Sequence, residues 1–373
     1  MTEKTSPSQN FEQKYNETEQ TFLPIFPDKI SRAFSFQADT IIDQVYLSHP
    51  ADEYNLRLRR IGIDKDKQFT PTLKDRGART KDGLQRKEVN GTMTENRFWS
   101  YAKDVPRVNK FRATPFENID IDFFDDGHIH LESENPESWQ QFIRHHDMEN
   151  DFIEVTGDRI VSSEWRAQMK YRKDNNGREA FAPKSELNID AIRNDILRVY
   201  SKKKRVVVAL GGRSGSGKST LVRQIVKNFD LSSAVMSTDD YNHGNTHLYG
   251  IGGGQWENYD DDKTYDLPLC RSHLGQLASG LVIPKRSYSF ITQEPQIDGD
   301  LQPVDVIFIE GIKAHHPQFR EMADLYYEMP TSLATSIGRR VLKRDIVERP
   351  LFSPEENLTN YLEYTEPAYK ALL

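Results

Sequence analysis

One cysteine, Cys270, is the whole thiol inventory of this 373-residue chain. That excludes an intramolecular disulfide framework and makes a reducing, cytoplasmic setting the expectation. No apolar run reaches the ~18 residues of a membrane span, so no membrane partner is expected. The opening MTEKTSPSQN lacks a basic segment followed by an apolar one, and no secretory leader is expected. Positive charge is in deficit: 50 Lys and Arg face 57 Asp and Glu, a formal net charge of −7. This weighs slightly against a protein that coats nucleic acid, and no nucleic-acid partner is expected. It leaves room for a local basic pocket that holds a phosphorylated small molecule. No internal repeat and no long low-complexity segment occurs. What remains, 36% hydrophobic and 29% charged residues, is the composition of a globular chain. The length suits two or three domains, each with its own core.

The apolar pattern divides the chain. From about residue 15 to 172 it has mostly period two, the signature of strands, punctuated by turn clusters such as KDGL and FDDGH. Residues 173–187, KDNNGREAFAPKSEL, read as a polar linker with Gly177 and Pro183. Beyond it, Ile189, Ile192, Ile196 and Val199 share one helical face. The runs RVVVALG and VDVIFIEG are β-branched and continuous, like buried strands of a parallel sheet. The expected boundaries are 1–172, linker 173–187 and 188–373, with an α/β second half.

GRSGSGKS, Gly212 to Ser219, fits G-x-x-x-x-G-K-[ST] between a strand and a helix. The chemistry explains the residues. Gly212, Gly215 and Gly217, with Ser214, Ser216 and Thr220 around them, let backbone N–H groups converge on phosphate oxygens. The following helix N-terminus adds its dipole. Lys218 can reach the β- and γ-phosphates, and the Ser219 hydroxyl can ligate Mg²⁺. STDDY, 237–241, follows a short apolar stretch, so Asp239 lies at a strand's C-terminal end, where a carboxylate can take a proton from an attacking hydroxyl. By itself this could equally be an acidic strand-end turn. Glu310 ends the run VIFI, beside the loop, where a metal-water ligand belongs; a helix N-cap acid is the plainer alternative.

With these segments in hand, residues 204–373 resemble the uridine kinase and phosphoribulokinase branch of P-loop kinases. The matching phrases are VVVALGGRSGSGKST, STDDY, NYDDDKTYDLPL, IPKRSYSFITQEP, VIFIEGIKAHH and RRVLKRDIVER, in order. The resemblance implies that Asp239 is the base, that Asp260 binds a ribose hydroxyl, and that Arg344 and Arg349 form a lid over the transferring phosphate. It places Tyr288, Gln293 and Arg340 around the acceptor. It implies ATP and Mg²⁺. The chain departs from the family pattern at Ser289 and Gln293, where an aspartate and a histidine are usual. Arg339 and Arg340 stand one residue further from Arg344 than expected, and ERPL replaces E-R-G-R. The chain also ends at Leu373, before the family's last strand, so a truncated piece or a sheet one strand short is expected.

In the first half, charges alternate with apolar residues: Arg57 and Arg59 in YNLRLRR, then Lys74, then Arg86 and Glu88, then Lys110 and Arg112. Asp120 and Asp122 follow, then His130, Glu132 and Glu134 in HIHLESE; Glu17 and Glu19 open the series. An antiparallel sheet with one solvated face explains this. So does a closed barrel with charges inward, where basic groups hold polyphosphate and carboxylates hold a divalent metal. The segment order, with EVTGD at 154–158, resembles the CYTH, or triphosphate tunnel metalloenzyme, family. The resemblance implies an antiparallel β-barrel of the α+β kind. It implies that Arg57, Arg59, Lys74, Arg86 and Arg112 bind phosphate and that Glu17, Glu19, Glu88, Asp122, Glu132 and Glu134 form the acidic set, with Mg²⁺ or Mn²⁺. That family opens with E-x-E-x-K; here Thr21 stands where the lysine would be.

Three functional expectations follow. The first is an ATP- and Mg²⁺-dependent kinase acting on a hydroxyl of a nucleoside or sugar-like acceptor. The second is hydrolysis of tripolyphosphate, pyrophosphate or an organic triphosphate in the barrel, modulated by the kinase half. The third is a non-catalytic polyphosphate sensor; the absent lysine favours it over the second. Oligomeric state stays open. The KKKR run at 202–205 reads as a solvated strand entrance, His315 and His316 as loop residues rather than zinc ligands, and Cys270 as core.

Overall fold

The computed structural model describes residues 14–62, 66–348 and 352–373. The chain forms two compact units, Met1–Ala182 with Pro354–Thr359, and Pro183–Ser353 with Asn360–Leu373. Among the described residues no helix is long and apolar enough to cross a membrane.

The first unit is built on one antiparallel sheet: β1 (Asn16–Pro24), β2 (Thr40–Tyr46), β3 (Tyr54–Ile61), β4 (Gln68–Asp75), β5 (Ala78–Thr80), β6 (Gly83–Asn90), β7 (Arg107–Phe116), β8 (Ile119–Phe124), β9 (Ile129–Ser133) and β10 (Phe152–Glu154). The order is β10-β1-β9-β8-β7-β2-β3-β4-β6-β5, and β1 also pairs with β6. That pairing, Glu17 opposite Arg86 and Glu19 opposite Leu84, closes the strands from β1 round to β6 into a barrel, with β5 and β10 outside the ring. The apolar residues of β8 and β9, Ile119, Ile121, Ile129 and Leu131, pack outward against Ile30, Phe34, Trp139 and Phe142 of the helices Pro27–Phe34 and Pro136–His145. Burying each such side chain contributes about 1.5–3 kcal/mol. Side chains alternate faces along a strand, so their charged neighbours must point into the ring. Closure therefore rules out the open sheet with a solvated charged face.

The second unit holds a parallel sheet of β11 (Val206–Gly211), β12 (Ser233–Ser237), β15 (Val306–Gly311) and β16 (Leu325–Glu328), in the order β12-β15-β11-β16. An antiparallel hairpin, β13 (Ile283–Ser289) and β14 (Glu294–Leu301), stands apart. One sheet face packs Val206, Val208, Leu210 and Phe308 on Ile192, Ile196, Leu221 and Ile225 of the helices Ile189–Tyr200 and Lys218–Val226. The other packs Ala209, Ile307 and Ile309 on Cys270, Leu274 and Leu277 of the helix Leu267–Ala278. Burial on both faces is why the strands are continuous apolar runs. The register sets Leu210 and Ser237 on either side of Glu310, so three strand ends meet at one edge.

Candidate active site and charged barrel interior

The barrel interior is lined by paired charges. Glu17 Oε1 accepts from Lys74 Nζ and Arg86 Nε, each at 2.6 Å, and Arg86 donates to Glu19 Oε2 at 2.6 Å. Lys74 also pairs with Glu88, and Arg57 reaches Glu88 at 4.0 Å. Arg112 grips Asp122 with two bonds of 2.7 Å and Glu132 at 2.9 Å, and it also pairs with Asp120. The sequence reasoning did not place Lys110 in this set. It pairs with Asp122, and both side chains are buried. Among the described residues Arg59 has only a neutral hydrogen-bond partner, Gln44 Oε1 at 2.7 Å, and the buried Nε of Arg57 has none. Burial, with Arg57 and Arg112 nearby, pulls the Arg59 guanidinium down to about 10. Burial raises the Glu134 carboxyl at the barrel's edge, and Asp120 and Glu19 add to it. Thr21 donates to Glu19 at 3.4 Å.

A cavity of about 130 Å³ opens among Glu19, Thr21, Arg57, Lys74, Arg86 and Glu132. His130, which shares the charged face of HIHLESE, lines it too, as do Arg76, Asp158 and Arg159, which were not anticipated. The signal for the last two was in hand, since Asp158 ends EVTGD and Arg159 follows it. Among the described residues no group of three or more His, Cys, Asp or Glu is arranged to hold a metal ion. Of the acidic set expected to do so, Glu17, Glu19, Glu88, Asp122 and Glu132 are engaged by lysine and arginine instead.

In the second unit the phosphate loop leaves β11 and enters the helix Lys218–Val226. Its glycines take backbone angles closed to other residues: φ is 150° at Gly212, 83° at Gly215 and 95° at Gly217. A Cβ on Gly215 would lie 2.2 Å from the Ser336 carbonyl oxygen. Lys218 is buried, and its Nζ donates to the carbonyls of Gly212 and Arg213, both at 2.9 Å. Burial lowers its ammonium, opposed by the charges of Glu310, Asp239 and Asp260, while Arg344 lowers it further. Glu310, Asp239, Asp260 and Arg344, four of the residues singled out from the sequence, thus all bear on the charge of one lysine. Ser219 Oγ donates to Glu310 Oε1 at 3.2 Å, and burial raises the Glu310 carboxyl against the pull of Lys218. Among the described residues the buried Ser216 hydroxyl has no hydrogen-bond partner, an orphan inside the loop. A cradle of backbone amides, a cation and an adjoining hydroxyl–carboxylate pair fit a nucleotide polyphosphate and its Mg²⁺.

Asp239 lies in the short 3-10 turn Thr238–Tyr241 that follows β12. Next to it, Asp240 is pushed up to about 7 by burial, with Asp239 and Glu310 adding to the shift. Asp260 Oδ2 accepts from Thr365 Oγ1 at 2.6 Å, while its carbonyl accepts from Lys313 Nζ at 2.7 Å. Arg340 is committed within the unit: it donates to Asp345 at 2.9 Å and stacks 5.1 Å from the Tyr361 ring centroid. Arg344 reaches Ser214 Oγ at 3.4 Å. Arg349 lies outside the described residues. Tyr288 is the last but one residue of β13 and packs on Phe290; Gln293 sits in the hairpin turn at φ 57°, its side chain bonded to Asn245. His315, expected in a loop, is buried with its ring against Gly211, and Cys270 is fully buried.

Residues 207–372 match the model of the phosphoribulokinase / uridine kinase family. The uridine kinase of Clostridium perfringens strain SM101 is 31% identical over 170 residues, 45% of this chain and 80% of the relative. The chain belongs to this kinase family. The uridine kinase of Deinococcus deserti is 32% identical over 167 residues, 44% of this chain and 79% of its own length. Among solved structures, an inorganic triphosphatase overlays 40% of this chain and 93% of its own with a TM-score of 0.24 at 24% identity. Three residues of the kinase unit escaped the sequence reasoning: Lys313, Tyr361 and Thr365. Each acts across more than fifty residues of sequence, and no local motif announces such partners.

Proposed function

We propose that the kinase unit transfers the γ-phosphate of ATP to a hydroxyl of a nucleoside or sugar-like acceptor. The observation that carries this is the phosphate loop with its buried Lys218 and the Ser219–Glu310 pair at 3.2 Å, beside the strand end from which Asp239 follows. Loop amides and Lys218 hold the polyphosphate. Ser219 and Glu310 would hold Mg²⁺, which when bound would neutralise charge on the phosphates. Asp239 accepts the acceptor's proton, and Arg344, with Arg349, stabilises the transferred charge. Asp260 accepts from a vicinal diol of the acceptor once Thr365 yields.

Uridine is expected to be a poor acceptor. Gln293 offers a carboxamide already bonded to Asn245 where a ring nitrogen is usual, and Ser289 removes a charge. A site built on hydrogen bonds rejects partners that leave its own groups unpaired. Measuring kcat/KM for uridine, cytidine, adenosine and free pentoses checks this. A uridine value above about 10⁴ M⁻¹s⁻¹ contradicts it.

The barrel's function is a second reading, favoured by Arg57, which lines the charged cavity and whose buried Nε has no partner among the described residues, and by the buried Arg59 guanidinium, bonded to the neutral Gln44. Its CYTH-like character supports binding of inorganic polyphosphate by these basic groups, and slow or no hydrolysis because Thr21 stands where that family has a lysine. Calorimetry of tripolyphosphate with the full chain is expected to show binding that Arg57→Ala with Arg59→Ala removes. Unaltered binding in that variant counts against the barrel site, and rapid release of phosphate counts against the sensor.

A further inference from the structure

The phosphate loop is gripped from its back by the last turns of the chain. Arg213, in the loop, forms a bidentate pair with Glu366, Nε to Oε2 at 2.8 Å and NH2 to Oε1 at 3.0 Å. Its guanidinium stacks 4.7 Å from the Tyr369 ring centroid, and Glu366 is fully buried. The next loop carbonyl, Ser214 O, accepts from Tyr361 Oη at 2.7 Å. Gly211, at the loop's start, rests against the His315 ring, which meets Tyr369 edge-on at 5.3 Å. Tyr369 in turn donates to Glu328, the last residue of β16, at 2.7 Å. Between Tyr361 and Glu366, Thr365 donates to Asp260. The last turns from Tyr361 to Tyr369, which begin as a π-helical turn over Tyr361–Thr365, therefore touch the loop at Arg213 and Ser214 and the acceptor-side carboxylate at Asp260.

A loop with three glycines at positive φ has little stiffness of its own and loses much entropy when a ligand orders it. Bracing it beforehand lowers that cost. A buried bidentate arginine–carboxylate pair is among the stronger braces available. We propose that Tyr361 and Glu366 are positioning residues that hold the phosphate loop in its nucleotide-binding shape. Thr365 ties that shape to Asp260. The proposal rests on the reading of this loop as the nucleotide site.

The test is calorimetric titration of the full chain with Mg·ADP, alongside the melting temperature without nucleotide. Tyr361→Phe removes one hydroxyl and is expected to weaken binding about fivefold, the size of one hydrogen bond. Glu366→Gln is expected to weaken it about tenfold or more, since a charged pair is lost. Arg213→Met combined with Glu366→Gln is expected to be clearly less than additive, as for partners in one pair. Should Glu366→Gln fail to fold, Tyr361→Phe decides. A lowered melting temperature with unchanged affinity in Tyr361→Phe overturns the proposal and leaves the nucleotide reading standing. A wild-type chain that does not bind Mg·ADP overturns both.

Discussion

Asp239 and Asp240 are adjacent and do different things. In the proposed mechanism Asp239 is the base, so Asp239→Asn is expected to cut acceptor-dependent ADP formation by about 10²–10⁴ and leave nucleotide affinity within a few-fold. Steady-state rates with calorimetry check both halves. Asp240 is a matter of stability. Its carboxyl is raised to about 7 in the fold, while the unfolded value is near 3.8. Between those values the folded chain holds the extra proton, so this residue's contribution falls as pH rises from about 4 to 7. Asp240→Asn should remove that slope. Urea unfolding with chelator is expected to show the variant gaining on wild type steadily over this window. A constant difference would mean Asp240 does not titrate there. Gln293 and Thr21 show what single positions reveal. Each was legible as a departure from a pattern, but the bond from Gln293 to Asn245 depends on a hairpin turn that no local motif spells out.

At the scale of elements, the phosphate loop was readable because its chemistry needs contiguous residues. The barrel was readable only in part. Alternation in IDID and HIHLE fixes which residues share a face, but period two carries no sign of inside or outside. The sign comes from Ile30, Phe34, Trp139 and Phe142, which cover the apolar face from distant helices. The price of an inward-charged ring shows at Lys110 and Asp122, both buried. Asp122→Ala leaves Lys110 unpaired, and a loss of about 3–5 kcal/mol is expected. Lys110→Met with Asp122→Leu, which removes both charges, is expected to cost clearly less. Denaturant unfolding of both variants checks the difference, and equal losses would mean the pair's charges are not the cause. The brace on the phosphate loop was invisible from sequence because Arg213 and Glu366 stand 153 residues apart.

At the scale of the whole molecule, the chain carries two places suited to phosphate, one in each compact unit. They predict different products. The proposed kinase reaction would make ADP and a phosphorylated acceptor; a hydrolytic barrel would make free phosphate. The central claim is that the kinase unit is a working phosphotransferase whose acceptor bears a sugar-like diol. Its most direct test is to incubate the full chain with ATP and Mg²⁺ across a panel of nucleosides, sugars and polyphosphates, and to quantify ADP, phosphorylated acceptor and free phosphate separately. The account predicts ADP and phosphorylated acceptor in equal amounts for at least one diol-bearing compound, lost in Asp239→Asn. ADP that appears only with free phosphate, or that persists in Asp239→Asn, would contradict it.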